Sequence, residues 1–214
     1  LINELAQIAH SLDVNIWNAI DAAATKPFGY MPFYPGPGLG GHCIPVDPFF
    51  VIYESKRNGF TPQLIEKARD INDYMSQHVG TETLRLLTDN GKAPSESTVL
   101  LAGLTYKPNV EDIRTSAVDG IVGKLAGFSV DVVGYDPRAD TTACREAFGI
   151  PVREELSFEG VDAVVLSAPH DELVAIDYAD AAAAMAPNPG LVDVLGALDA
   201  ERLRANDRLD YKRV

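Results

Sequence analysis

Residues 33–48 read Phe-Tyr-Pro-Gly-Pro-Gly-Leu-Gly-Gly-His-Cys-Ile-Pro-Val-Asp-Pro, and the chemistry suggested by this chain concentrates there. Four glycines and two prolines occupy the ten residues before Cys43, and the carboxylate of Asp47 follows four residues after it. Glycine lets a ligand come close to the main chain, and proline stiffens what glycine would leave loose. The pattern describes an exposed, rigid loop that presents a thiol beside backbone N–H groups. Pro45 suits the first turn of a helix, which would set Cys43 just ahead of a helix N-terminus. A thiol in that place ionises below its ordinary value of about 8.5 and becomes a nucleophile. Asp47, about one helical turn further on, could orient a water or act as a base.

Other readings of the same residues are weaker. A single cysteine often serves as a small buried hydrophobe, but not commonly between glycines and prolines. Gly36, Gly38 and Gly41 also fit the dinucleotide fingerprint, yet no expected strand precedes them and Pro37 interrupts the pattern. That fingerprint requires strand, tight turn and helix in order. A structural zinc wants about four ligands at recognisable spacings. His42, Cys43, Cys144 and the scattered remaining histidines do not supply them, so no metal is expected.

Stepping outward from the loop, 214 residues suffice for one large domain or two small ones. A hydrophobic content of 46% with 23% charged residues describes a globular chain. No apolar run of about eighteen residues is present to span a membrane. Two cysteines in unlike contexts argue against a disulfide framework and for a reducing, cytoplasmic setting. The net charge of −13 disfavours nucleic acid and anionic membrane as partners. It leaves room for an anionic small ligand, which needs only a few local cations. Lys26, Lys107 and Arg114 lie in or beside Gly/Pro-marked loops. The chain opens on Leu1, mid-way through a helical pattern, and so reads as a piece of a longer protein.

The elements that must position the loop follow from periodicity. Apolar residues at helical spacing run from Leu1 to Ile20, with Asp13 placed to cap a second segment and Trp17 as a packing residue. A short helix is expected from Pro45 to Asn58, and a long one from a Thr61 cap to about Asn90. After the Gly91–Ser95 linker the character changes. The continuous apolar run at 98–104 reads as a strand buried on both faces, and further strands are expected at 130–135, 161–168 (buried) and 191–194. Helices are expected between them at 116–127, 141–148 and 177–185, with a last one at 200–204. The fold class is therefore α/β: an all-helical segment (1–94) followed by a Rossmann-like parallel, doubly wound sheet (95–214). Ligands of such sheets sit at the carboxyl ends of the strands. That directs attention to residues 105–114 after the first strand, where Lys107 and Arg114 form a cationic pair suited to a pyrophosphate. Asp136 before Pro137 reads as a turn former.

Two separated stretches together resemble one family. The run from Pro35 to Pro48 resembles the catalytic loop of the nucleotide-sugar 6-dehydrogenases, the UDP-glucose and UDP-N-acetylhexosamine group. Gly-Leu-Thr-Tyr-Lys-Pro-Asn-Val-Glu-Asp-Ile-Arg at 103–114 resembles the first strand and loop of their C-terminal domain. Asn3-Glu4-Leu5-Ala6 is similar to the end of their central helix, and residues 25–34 are most similar to members acting on UDP-N-acetylglucosamine.

The resemblance implies a four-electron oxidation of the sugar C6 alcohol to a carboxylate with NAD as acceptor. It implies Cys43 as the nucleophile, through a thiohemiacetal and a thioester, and Asp47 as the carboxylate that activates water. It further implies Phe33, Tyr34, Gly38, Gly40, Gly41 and Lys107 at the UDP-sugar, Arg114 at the cofactor, and a homodimer through the N-terminal helices. The family's Gly-rich NAD-binding domain and its catalytic threonine, glutamate, lysine and asparagine have no counterpart in this sequence; Asn3 matches a later helix position. The piece alone is therefore expected not to turn over. Three UDP-sugars, those of N-acetylglucosamine, N-acetylmannosamine and glucose, are compatible with the loop. A non-catalytic nucleotide-sugar-binding and dimerisation module is the alternative.

Overall fold

A computed structural model describes residues 1–12, 14–39 and 43–214. Helices α1 (Ile2–Ser11) and α2 (Ile16–Ala24) come first, and α2 is capped by Asn15, whose side chain accepts from the N–H groups of Trp17 and Asn18. The cap expected at Asp13 lies outside the described residues. An extended loop leads to α3 (Asp47–Arg57), two residues later than expected, with Pro48 in its first turn. Helix α4 (Gln63–Asp89) is 27 residues long. Its N-cap is Pro62, with no side-chain hydrogen bond, so Thr61 does not cap it.

The second half alternates β1 (Thr98–Ala102), α5 (Val118–Ala126), β2 (Asp131–Tyr135), α6 (Thr141–Phe148), β3 (Ala163–Leu166), α7 (Asp171–Val174), α8 (Tyr178–Ala181), β4 (Gly190–Asp193), α9 (Ala200–Arg204) and β5 (Asp210–Arg213). The helix expected over 177–185 is broken, continuing beyond α8 only as a 3₁₀ turn, Ala182–Ala184. All strands are parallel, in the order β2-β1-β3-β4-β5. This is the doubly wound arrangement, whose direction of progression reverses between β1 and β3.

Alternation along each strand fills two cores. Val99, Leu101, Ala163, Val165 and Val192 pack with α4, α5 and α6 on one face. Leu100, Ala102, Val164, Leu166 and Leu191 pack with α7, α8 and α9 on the other. Helix α4 crosses from one region to the other. Its first turns carry exposed Leu64 and Ile65, whereas Met75, Val79, Leu86 and Leu87 belong to the sheet's core. Trp17 makes the second link. Its ring sits where any side chain at Gly196 would collide, and its Nε1–H donates to the Val214 carbonyl at 3.0 Å. The tryptophan thus packs helix against sheet within one chain.

Candidate functional site

The Gly/Pro loop and the β1 loop, about seventy residues apart in sequence, meet in one cavity of about 330 Å³. Tyr34 to Leu39 form one wall, Thr105 to Pro108 the other, and Ser167 and Leu195 come from the loops after β3 and β4. The cavity therefore opens at the carboxyl ends of the strands, over the β1/β3 switch point.

The strand-end wall is built on buried polar groups. The Asn109 N–H donates to His170 Nδ1 at 2.9 Å, which leaves Nε2 as the protonated ring nitrogen. That nitrogen lies 3.1 Å from Asp136 Oδ2 and 3.1 Å from Thr105 Oγ1. Asp136 also accepts from the N–H groups of Leu104, Arg138 and Ala139 at 2.6–2.8 Å. Burial alone would raise its carboxyl, but these donors, His170 foremost, hold it below the usual carboxylate range. Thr105 Oγ1 donates to the Lys107 carbonyl, and Asn109 and Asp171 exchange two hydrogen bonds. Lys107 is thereby carried on a backbone pinned at several points, and its Nζ lies over the Tyr106 ring at 5.3 Å.

The other wall is held from the helices. Asn3 on α1 accepts from the Gly36 N–H at 3.0 Å and donates to Asn72 on α4 at 2.9 Å. Pro35 is buried, and Gly36 leaves no room for a side chain because Leu195 Cδ2 would lie 2.7 Å from its Cβ. The Tyr34 ring stacks on Trp17 with centroids 5.0 Å apart, and its hydroxyl donates to Asp21.

Cys43 is exposed, and its carbonyl accepts from the N–H groups of Val46 and Asp47 in a turn that runs straight into α3. Asp47 is accordingly the first residue of that helix. The other cysteine contrasts with it: Cys144 is buried on α6, and burial pushes its thiol up to about 11.

Two family models match the chain. The UDP-glucose/GDP-mannose dehydrogenase central domain matches residues 1–74, and the UDP binding domain of the same family matches residues 100–200. The chain belongs to that family. It is 33% identical over 172 residues to UDP-N-acetyl-D-glucosamine 6-dehydrogenase of Salmonella typhi, a match covering 80% of this chain and 40% of that protein. It is 36% identical to UDP-N-acetyl-D-mannosamine dehydrogenase of Methanocaldococcus jannaschii, over 84% of this chain and 39% of that one. The solved UDP-D-ManNAc dehydrogenase of Pyrococcus horikoshii superposes with a TM-score of 0.83 at 27% identity, covering all of this chain and 47% of that one. The chain thus spans less than half the length of these relatives.

Of the residues expected at the site, Tyr34, Gly38 and Lys107 line the cavity. Phe33 is exposed at its approach, while Gly40 and Gly41 lie outside the described residues. Cys43, Asp47 and Arg114 are not among the lining residues. The Arg114 guanidinium makes a two-pronged ion pair with Asp112 at 2.7–3.2 Å, and that partner holds the Asp112 carboxyl down to about 2. Asn3, Ser167 and His170 were not expected at the site, and Asp136, which follows the second strand at the sheet's ligand-binding end, reads in sequence as the turn former that it also is. Ser167 and His170 had no local signal.

A dinucleotide does not fit the β1 loop by the usual route. That loop has one glycine, Gly103, at φ +83, and a Cβ there would lie 2.1 Å from the Ala168 carbonyl oxygen. The glycine serves chain packing, and the next helix, α5, starts only at Val118. Among the described residues of this sheet there is no glycine cradle for a pyrophosphate.

No helix among the described residues is long and apolar enough to cross a membrane.

Proposed function

We propose that this chain is the central and C-terminal part of a UDP-sugar 6-dehydrogenase that oxidises the C6 alcohol of a UDP-N-acetylhexosamine, UDP-N-acetylglucosamine first, to the uronate. The observation that carries the reading is the joining of the Gly/Pro loop to the β1 loop around one cavity at the sheet's switch point. In this reading residues 95–214 bind the nucleotide-sugar, with Lys107 facing its phosphates and Tyr34, Gly38 and the backbone of residues 40–41 against the sugar. Residues 1–94 carry the reacting loop.

The Cys43 thiolate adds to the carbon of the C6 aldehyde, and the carbonyl oxygen takes up a proton to give a thiohemiacetal. Oxidation of that adduct leaves a thioester on the same sulfur. Asp47, at the head of α3, orients a water and takes its proton as the water adds to the thioester carbonyl. The carboxylate departs and the thiolate is restored. A nicotinamide dinucleotide, when bound, would supply the oxidant for both two-electron steps. Its cradle is assigned to enzyme outside these 214 residues, with Arg114 at its edge once released from Asp112. The chain alone is therefore expected to be inactive. A homodimer through the N-terminal helices fits the exposed Leu5 and Ile8 of α1 and the exposed Leu1 and Leu12 at its ends, and a cytoplasmic location fits the cysteine usage.

The alternative, a binding module without chemistry, is favoured by the absence of Cys43 from the cavity lining. Cys43→Ser in the intact enzyme separates the two. Turnover, read as NADH formation, should fall by on the order of 10³-fold or more while UDP-sugar affinity changes little. Unchanged turnover would end the covalent reading. In this chain alone, a Cys43 that alkylates slowly, with no protection by UDP-sugar, would favour the module.

A further inference from the structure

Away from the cavity, three ligating side chains converge from two helices. His78 and Glu82 stand four residues apart on α4 and so share one face. His10, in the last turn of α1, brings its Nδ1 to 2.9 Å from His78 Nε2, with the rings stacked at 5.1 Å. One donor atom from each of the three residues lies within 4.8 Å of the others. His78 and Glu82 are buried and His10 is half-buried. Sequence reading excluded a metal because the histidines are scattered along the chain, but the fold brings two of them together with a carboxylate.

We propose that His10, His78 and Glu82 form a binding site for a first-row divalent metal ion of the Zn²⁺ class, independent of the nucleotide-sugar cavity. Two imidazole nitrogens and a carboxylate oxygen are the donor set such ions prefer over Mg²⁺ or Ca²⁺. Tetrahedral zinc with ligands about 2.0–2.2 Å away holds its donor atoms roughly 3.3 Å apart. The two histidines need only spread slightly, and Glu82 only draw in. Burial lowers His10 and pushes His78 down to about 4, so both rings are neutral at neutral pH, and the ring that donates the hydrogen bond between them has only to shift its proton to its other nitrogen in order to ligate.

The groups around the site define how it would load. Lys212 on β5 places its Nζ 2.5 Å from Glu82 Oε2, and Arg85 donates to Oε1 at 2.7 Å. Both oxygens of the carboxylate are thus paired with a cation, and a dication that binds Glu82 competes with these partners. Lys212 and His10 both line a separate cavity of about 290 Å³ together with Trp17, Arg204, Tyr211 and Arg213. Through it the metal can enter with its remaining water ligands while Lys212 swings out. The exchange replaces one positive charge beside Glu82 by two, and it replaces a hydrogen bond between the imidazoles by two coordinate bonds. It clamps α1 to α4, and α1 carries Asn3, the anchor of the Gly36 loop.

The test is titration of the untagged protein with ZnCl₂ and, separately, MgCl₂, followed by calorimetry and thermal unfolding. A Cys43→Ser background removes the exposed thiol as a rival ligand. One Zn²⁺ per chain should bind and raise the unfolding temperature, with Mg²⁺ inert. His10→Gln, a half-buried site chosen because it is less disruptive than His78, should weaken Zn²⁺ by about tenfold or more. Lys212→Met should leave Glu82 Oε2 without its ammonium while Arg85 stays on Oε1, lower stability without metal, and bind Zn²⁺ about tenfold more tightly, with the lost stability restored. Absence of stoichiometric Zn²⁺ binding would overturn the proposal. So would binding insensitive to His10→Gln, or a Lys212→Met defect that Zn²⁺ does not rescue, since a salt bridge with only a structural role predicts that result.

Discussion

The two walls of the cavity between the Gly/Pro loop and the β1 loop are made in different ways. The β1 loop is fastened from beneath by buried His170, Asp136 and Thr105, and at its surface by the exposed Asn109–Asp171 pair. The Gly/Pro loop is fastened from the side, by an asparagine on α1, a tyrosine stacked on α2, and a buried proline. The first wall belongs to the sheet and moves with it. The placement of the second depends on how α1 and α2 dock. Under the proposed function, a site divided this way would hold the nucleotide end on the sheet while separate elements position the segment bearing the Cys43 sulfur.

The comparison breaks most visibly at Trp17, which ties the helical wall to the sheet through Gly196, Tyr34 and the Val214 carbonyl. Trp17→Ala should cost about 3–5 kcal/mol in denaturant unfolding. In the intact enzyme it should lower turnover more than UDP affinity; an equal loss of both would mean that the walls are not separately supported. His170→Ala tests the other side. It strips hydrogen bonds from a fully buried network and leaves the Asp136 carboxylate short of a donor, with an expected cost of about 2–3 kcal/mol. Here UDP affinity, measured by calorimetry, should fall with stability. Asn3→Ala should be milder, about 1 kcal/mol, but should reduce turnover while UDP binding stays within twofold of the parent on the order-of-magnitude scale of one lost hydrogen bond.

The smallest effect concerns acid. Asp136 has its carboxyl held low in the fold, so its contribution to stability is complete above the unfolded value near about 3.8 and is lost as pH falls through the lower folded value. Denaturant midpoints followed downward from about pH 5 should drop most steeply below about pH 4. Asp136→Asn, less stable at neutral pH, should show a shallower acid branch. An unchanged slope would mean that other carboxylates dominate the acid transition.

Much of this architecture could be read from local pattern. The runs 98–104, 161–168 and 191–194 became the central strands β1, β3 and β4, where burial on both faces demands mostly apolar residues, and 130–135 became the edge strand β2, which alternates buried with more exposed positions. In chain order, the first three runs extend one or two residues beyond their strands at one or both ends, and the fourth is displaced by one residue, since β4 begins at Gly190. β5 escaped because Asp-Tyr-Lys-Arg is polar, and only the seating of Tyr211 against Asp193 makes it a strand edge. The Asn15 cap escaped because Asp13 offered an equally good capping residue two positions earlier.

What the chain's order of residues determined by itself is a set of local facts: helical and strand periods, a stiff Gly/Pro loop around Cys43, and a cationic loop after the first buried strand. Each depends on neighbours within a turn or a strand's length, where sterics and burial act directly on the sequence. The tertiary structure decided which distant side chains meet. His170 lies 61 to 65 residues from its partners in the β1 loop, Asn3 lies 33 and 69 residues from its own, and His10 lies 68 residues from His78. No local period encodes such meetings. They arise when the sheet's strand order and the course of α4 bring separated segments together, and hydrogen bonding between polar groups that are then buried selects the arrangement.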